Sequence, residues 1–283
     1  MLNYFINWKE LKVSDRSKEN HINLVNWFLT NSDKVIVALS GGVDSAVVAL
    51  AAKEALGKNA MAITANYKTL SKEEISTAKK IAAEILINHK IIEYNELDNS
   101  EFVKNDKLRC YHCRTQLAQH LILAAEKYEI DTIVDGTNMD DLGEYRPGIK
   151  ALRENGIRSP LVELGIGKNE IRSIARHFGL SINDKPSNAC LASRIPRGVE
   201  VTFEKLRKIE ESEILIKKIF NVRQVRVRDH GEIARIEVER NELTKLFDID
   251  KLALLDIQLK NIGYRFVSID ISGYRSGNLV IVE

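Results

Sequence analysis

The feature that most constrains the fold is an alternation. Between Lys34 and Asn138 four short apolar runs, KVIVAL, AMAITANY, HKIIEYN and DTIVDGTN, are separated by DSAVVALAAKEAL, SKEEISTAKKIAAEI and RTQLAQHLILAAEKYEI, which have helical spacing. Continuous apolar runs of that length suit strands covered on both faces. Strand and helix in steady succession predict an α/β protein with a doubly wound parallel sheet, whose ligands sit beyond the carboxyl ends of the strands. Ser71 and Glu74 have capping-box spacing at the head of the second helix. The first thirty residues predict one or two helices leading into the sheet.

After Asn138 the texture changes. MDDLGEYRPGIKALRENGIRSPL is polar and turn-rich, GKNEIRSIARHFGL predicts a short helix, and SINDKPSNACLASRIPRG predicts a loop. A helix is expected over Phe203–Phe220, followed by QVRVRDHGEIARIEV, whose alternation on either side of DHGE predicts a hairpin. A helix from about Glu242 to Asn261 and a strand in YRFVSIDI complete an α-β-β-α-β pattern. The expected organisation is therefore an α/β domain over residues 1–200 and a small α+β domain over residues 201–283.

The first strand-to-helix junction carries the clearest chemistry. SGGVDS, Ser40 to Ser45, follows a strand and opens a helix. Successive backbone N–H groups in such a turn form an anion nest, and the helix N-terminus adds partial positive charge. Gly41 and Gly42 let the backbone approach phosphate oxygens, while Ser40 and Ser45 offer hydroxyl donors. Asp44 suits such a place if a cation lies between it and the phosphate, which assigns it to Mg²⁺. A plain β–α turn is the competing reading of two glycines alone. The lysine of a GxxxxGK[ST] loop is absent, which speaks against γ-phosphoryl transfer.

Three cysteines form the second cluster. Cys110 and Cys113 are a C-x₂-C pair in RCYHCRTQL, and Cys190 lies in NACLASR. The spacing is compatible with a [4Fe–4S] cluster lacking one cysteine ligand, with a zinc or redox pair, or with three unrelated thiols. An odd count makes a disulfide framework a poor fit. Arg226 and Arg228 alternate on the hairpin and so share a face, either as a solvated surface or as a double fork for a phosphate. Arg146 reads equally as a further candidate cation or as a salt-bridge partner within its own loop, and His177 as a surface or packing residue rather than a base.

Composition narrows the partners. The chain is 44% hydrophobic and 29% charged, too apolar for disorder. Lys and Arg number 42 against 40 Asp and Glu, a net charge of +2, so no bulk nucleic-acid partner is expected. No apolar run approaches the ~18 residues of a membrane span, and no signal-peptide core is seen, so a cytoplasmic location is expected.

SGGVDS resembles the PP-loop of the N-type ATP pyrophosphatases, which adenylate a carboxylate or carbonyl oxygen and release pyrophosphate. That resemblance implies ATP and Mg as ligands, with Ala38 and Gly136 of the DGTN segment joining the loop at the nucleotide; Asp140 and Asp141 follow in the same motif. SGGVDS, EYRPG, CLASRIPRG and VRVRDHGEIARIEV, in this order, resemble the LarE family of pyridinium-3,5-biscarboxylic acid mononucleotide sulfur transferases over nearly the whole chain from about residue 20. The resemblance implies adenylation of a substrate carboxylate and its conversion to a thiocarboxylate for a nickel-pincer cofactor, the one used by lactate racemase. One branch of that family consumes a cysteine sulfur; Ala189 stands where that cysteine would be. Cys110, Cys113 and Cys190 match the other branch, which carries an extra sulfide on the non-cysteine iron of a [4Fe–4S] cluster. By the same resemblance Ser193, Arg194, Arg226 and Arg228 receive the substrate phosphate, the substrate is a nucleotide-like dicarboxylate, and the protein is a homo-oligomer. Sequence does not name the sulfide source. A cluster-dependent tRNA thiolation enzyme and a non-catalytic nucleotide-binding redox sensor are the competing functions.

Overall fold

Val35, Ile36 and Val37 are wholly buried, and their strand is the axis of the larger sheet. In the computed structural model, which describes residues 15–143, 146–183 and 189–275, α1 (Asp15–Asn31) precedes β1 (Val35–Ala38). There follow α2 (Val43–Leu56), β2 (Ala60–Asn66), α3 (Lys72–Ile85), β3 (Asn88–Glu93), α4 (Ser100–Val103), α5 (Arg109–Tyr128) and β4 (Thr132–Val134). The four strands pair in the order β3-β2-β1-β4, all parallel, with Val35 opposite both Ala60 and Thr132. The alternation thus builds the α/β sheet it predicts. Alanines at 46, 49, 51 and 52 let α2 pack closely, and they join Leu24, Phe28, Ile81 and Ile171 in one core.

Beyond β4 come α6 (Pro147–Glu154), α7 (Pro160–Glu163), α8 (Lys168–His177), α9 (Phe203–Phe220), β5 (Val225–His230), β6 (Ile233–Val238), α10 (Ile249–Ile262) and β7 (Phe266–Ile269). β5 and β6 are the expected antiparallel hairpin, and β7 joins β6 in parallel. Val225, Val227 and Ile236 pack with Ile216 and Phe220 of α9 and Leu255 and Leu259 of α10. The last helix begins later than Glu242. Asp248 accepts from Lys251 N at 3.1 Å and caps α10, while Glu242 instead accepts from Arg223 N and Lys245. Residues 1–14, Glu144 and Tyr145 of EYRPG, residues 184–188 of the proline loop and residues 276–283 lie outside the described residues.

The chain forms two compact units. The first comprises Met1–Asn66, Lys72–Glu93 and Arg114–Lys185; the second comprises Tyr67–Ser71, Tyr94–Cys113 and Pro186–Glu283. The nucleotide-type loop belongs to the first, and the three cysteines with the paired arginines belong to the second. Among the described residues no helix is long and apolar enough to cross a membrane.

Candidate functional site

In the first unit the loop is built from backbone. Gly41 has φ +81°, a left-handed conformation that a side chain resists, and a Cβ there would come within 2.7 Å of Glu74 O. Gly42 caps α2 in extended conformation. The two serine hydroxyls lie 3.1 Å apart; Ser40 N donates to Ser45 Oγ at 3.2 Å, and Ser45 Oγ donates to Gly42 O at 3.0 Å. Gly136, at the end of β4, presses on the loop from behind, since a Cβ there would sit 2.6 Å from Ser45 N. Its neighbour Asp135 is buried and engaged with Ser159 Oγ at 2.7 Å and Thr137 N at 3.1 Å, so it shapes the turn. Ala38 closes β1 next to the loop.

Asp44 is the loop's one charge. Burial pushes its carboxyl up, and the hydrogen bond and charge of Lys168 pull it back only in part. Oδ2 meets the Lys168 ammonium, whereas Oδ1 is buried without a hydrogen-bond partner. A buried carboxylate oxygen lacking a donor suits a divalent cation, so Asp44 fits Mg²⁺. Lys168 was invisible in the sequence pattern. It opens α8, whose first N–H is capped by Asp140 Oδ2 at 2.5 Å, and it supplies the cation that SGGVDS lacks. Asp141 accepts from Arg146 Nη1 at 2.6 Å, which places Arg146 in an ion pair of its own loop. His177 stacks edge-on against Phe178, a packing role.

In the second unit the site is assembled from distant segments. Cys110 and Cys113 lie in the first turn of α5, and Cys190 stands at the head of the short 3-10 turn Leu191–Arg194. What joins them is Arg109, another residue the sequence pattern did not single out. Its guanidinium is buried; Nη1 donates to Asn105 Oδ1 at 2.7 Å and Ala192 O at 2.8 Å, and Nη2 reaches Cys110 Sγ at 3.9 Å. Burial works against its charge, but Cys190, Cys110 and Cys113 all act to hold it, and its pKa rises. Arg109 thus links the segment that carries Cys110 and Cys113 to the loop that carries Cys190. Asn105, at φ +56°, completes the frame by donating to Pro196 O and Val199 O at 2.8 Å each. Glu96 accepts from Lys68 N and Thr69 N, and Thr69 O accepts from Leu191 N at 2.9 Å, so a buried carboxylate props the cysteine loop from the other side.

Among the described residues no group of three or more His, Cys, Asp or Glu side chains converges on a single ion. A cubane takes each thiolate on a different iron, so its ligands stand further apart than those of one ion. Cys113 and Cys190 border a small apolar cluster of Phe102, Leu191, Ala192 and Ile195. Three thiols, apolar walls and a buried cation that offsets thiolate charge form a donor set that fits such a cluster.

Beside it lies a second group of charges. Arg194 is fully buried, donating through Nε and Nη2 to Glu213 at 2.8 and 3.0 Å and through Nη1 to Ala189 O at 2.5 Å and Cys190 O at 2.9 Å. Arg228 donates to Glu237 Oε2 at 2.9 and 2.7 Å and to Ser193 O at 3.0 Å. Arg226 donates to Val225 O at 2.9 Å and lies over the Tyr274 ring. Burial first, then the charge of Arg194, lower its pKa to about 10. The face shared by Arg226 and Arg228 is buried, not solvated. A buried cation whose nearest charged neighbours include two more cations favours an anion.

A family model described as "Queuosine biosynthesis protein QueC" matches residues 34–109. The chain is similar to an uncharacterized protein of Synechocystis sp., 40% identical over 261 residues, covering 92% of this chain and 97% of that one. It is similar to an uncharacterized protein of Methanocaldococcus jannaschii, 35% identical over 86% of this chain and 91% of that one. It is also similar to the pyridinium-3,5-bisthiocarboxylic acid mononucleotide synthase of Lactiplantibacillus plantarum, 30% identical over 89% of this chain and 90% of that one.

Proposed function

The chain belongs to the LarE family of pyridinium-3,5-bisthiocarboxylic acid mononucleotide synthases, and from that membership we propose that it is an ATP-dependent sulfur transferase acting on pyridinium-3,5-biscarboxylic acid mononucleotide. ATP binds at Ser40–Ser45, whose nest and helix N-terminus take the phosphates; Asp44 would hold Mg²⁺, which when bound supplies further charge to the phosphates, and Lys168 adds positive charge beside it. A substrate carboxylate, already ionised and needing no base, attacks the α-phosphorus. The bond to the β-phosphate oxygen breaks, and pyrophosphate leaves with its charge carried by the nest and the cations. The product is an acyl-adenylate. Sulfide then attacks the acyl carbon, the bond to AMP breaks, and a thiocarboxylate remains.

Cys110, Cys113 and Cys190 would hold a [4Fe–4S] cluster, which when bound supplies an iron free of cysteine for the donor sulfide. Arg109 offsets charge at those thiols, and Asn105 and Glu96 fix the loops that carry them. Arg226 receives the phosphate of the mononucleotide, with Arg228, which is held by Glu237 and Ser193 O, adding positive charge beside it and Ser193 on the adjoining loop. The product serves nickel-pincer cofactor assembly.

The observation that carries this reading is that Arg109 ties the Cys110 segment to the Cys190 loop, reaching Cys110 Sγ at 3.9 Å and donating to Ala192 O at 2.8 Å, while Cys113 and Cys190 pack against one apolar cluster. The test is anaerobic iron and acid-labile sulfide analysis of the parent and Cys190→Ala, alongside pyrophosphate release with ATP and the biscarboxylate mononucleotide. The expected result is about four irons per parent chain, lost in the variant, with pyrophosphate release dependent on the mononucleotide. Iron-free parent protein, or pyrophosphate release indifferent to that substrate, would overturn the reading.

A further inference from the structure

Arg194 has little left to offer a ligand. Its Nε–Nη2 edge, the edge that would fork onto a phosphate, is closed by both oxygens of Glu213. Its Nη1 is held by the carbonyls of Ala189 and Cys190 and by Ser193 Oγ at 3.1 Å. Both members are buried, the Arg194 side chain completely. Glu213 lies on α9, and its Oε1 also accepts from Val227 N of β5 at 3.0 Å. Through Arg194, one carboxylate therefore ties the two peptides that flank the Cys190 α-carbon to a helix and a strand. Arg226, two residues along the same strand from Arg228, has a different environment: it donates to Val225 O and lies over the Tyr274 ring, and burial and the charge of Arg194 lower its pKa while Glu213 acts to hold it.

We propose that the Arg194–Glu213 pair is a latch that fixes the position of Cys190, and that Arg194 is a positioning residue and not a ligand of the substrate phosphate. The proposal rests on the sulfur-transfer reading for its purpose, but the latch itself is read without it. A guanidinium anchored by a rigid fork holds two successive carbonyls at fixed direction, and so sets where the Cys190 side chain leaves the backbone. A lysine ammonium, with three donors on one nitrogen, cannot reproduce the fork onto both oxygens of Glu213 together with the bonds to both carbonyls.

The test uses the full chain as the parent, Arg194→Lys, Glu213→Gln and Arg226→Ala, each checked for folding by circular dichroism. Chelator-treated, fully reduced protein is exposed to iodoacetamide at one pH, and modification of Cys190 and Cys110 is followed by peptide mass spectrometry. Cys190 should react at least about fivefold faster in Arg194→Lys and Glu213→Gln, with Cys110 unchanged, because only the latched loop gains freedom. Nicotinic acid mononucleotide, a pyridinium mononucleotide with one carboxylate, should bind both latch variants within about twofold of the parent and Arg226→Ala at least about tenfold more weakly. In anaerobically purified protein the latch variants should hold less iron than the parent. Should Arg194→Lys leave Cys190 alkylation unchanged yet weaken mononucleotide binding as Arg226→Ala does, Arg194 is a phosphate ligand and the latch is wrong. If the parent itself carries no iron, the sulfur-donor reading fails while the alkylation rates still decide the latch. If Glu213→Gln does not fold, Arg194→Lys decides alone.

Discussion

The loop at Ser40–Ser45 and the cysteine–arginine region handle negative charge by opposite means. The loop uses backbone N–H groups, one left-handed glycine and two hydroxyls that bond each other. Its only charged member is Asp44, which Lys168 meets. The other region uses whole guanidinium groups, and each is already committed: Arg109 to Asn105, Arg194 to Glu213, Arg228 to Glu237. Backbone donors ask only for room and the right φ. Buried cations ask for acceptors, and these tie Arg109, Arg194 and Arg228 each to another side chain of the region. A change in the loop should therefore act locally, while a change among the arginines should spread.

The sharpest way to break that contrast is Cys190→Ala. Sulfur transfer should fall at least about a thousandfold while mononucleotide-dependent pyrophosphate release persists, since only a sulfur-side group is lost; loss of both activities together would mean the two regions are not chemically separable. Arg228→Ala should come next, taking one ion-pair partner from Glu237, which is fully buried, and costing about 3–5 kcal/mol of stability by urea unfolding. Arg226→Ala should behave oppositely. Below about pH 10 this guanidinium keeps its charge in the folded protein against its surroundings, because its folded pKa lies under the ordinary value. Removing it should leave the melting temperature unchanged or higher, and inorganic phosphate should raise the parent's melting temperature more than the variant's. A large destabilisation would show that Arg226 is paired as firmly as Arg228.

Gly136→Ala probes the backbone site. A Cβ 2.6 Å from Ser45 N forces the loop or the end of β4 to shift, and overpacking of this kind costs about 1–3 kcal/mol, or about ten- to a hundredfold in ATP affinity by calorimetry. Unaltered binding would show that the loop yields more easily than its hydrogen bonds imply. The smallest effect belongs to a part remote from both sites. Thr202 caps α9 by accepting from Lys205 N at 3.3 Å, and Thr202→Ala should lower stability by about 1 kcal/mol without touching nucleotide binding.

The same contrast explains what could be read in advance. SGGVDS holds its donors in consecutive residues, and the strand before it and helix after it announce themselves by periodicity, so loop, sheet and their order are written locally. Arg226 and Arg228 were legible as a pair but not as buried, because burial depends on what packs over a strand. Arg109, Asn105, Glu96, Glu213 and Lys168 gave no periodic or motif signal, since each matters through a partner far away in the chain. A faint trace existed for two of them: Arg109 directly precedes the C-x₂-C pair, and Lys168 opens a helix after a glycine. The late start of α10 escaped because Glu242 has good helical character yet accepts from Arg223 N with both oxygens and from Lys245.

Gly41 and Gly136 wedge the SGGVDS turn between α3 and the end of β4, and the serine hydroxyls stitch it across. A cradle of that kind is in its working shape before any nucleotide arrives. On the proposed function, little entropy is then left for ATP to remove from the protein on arrival, and the affinity of this turn would be set by what the phosphates touch and hardly at all by ordering the chain.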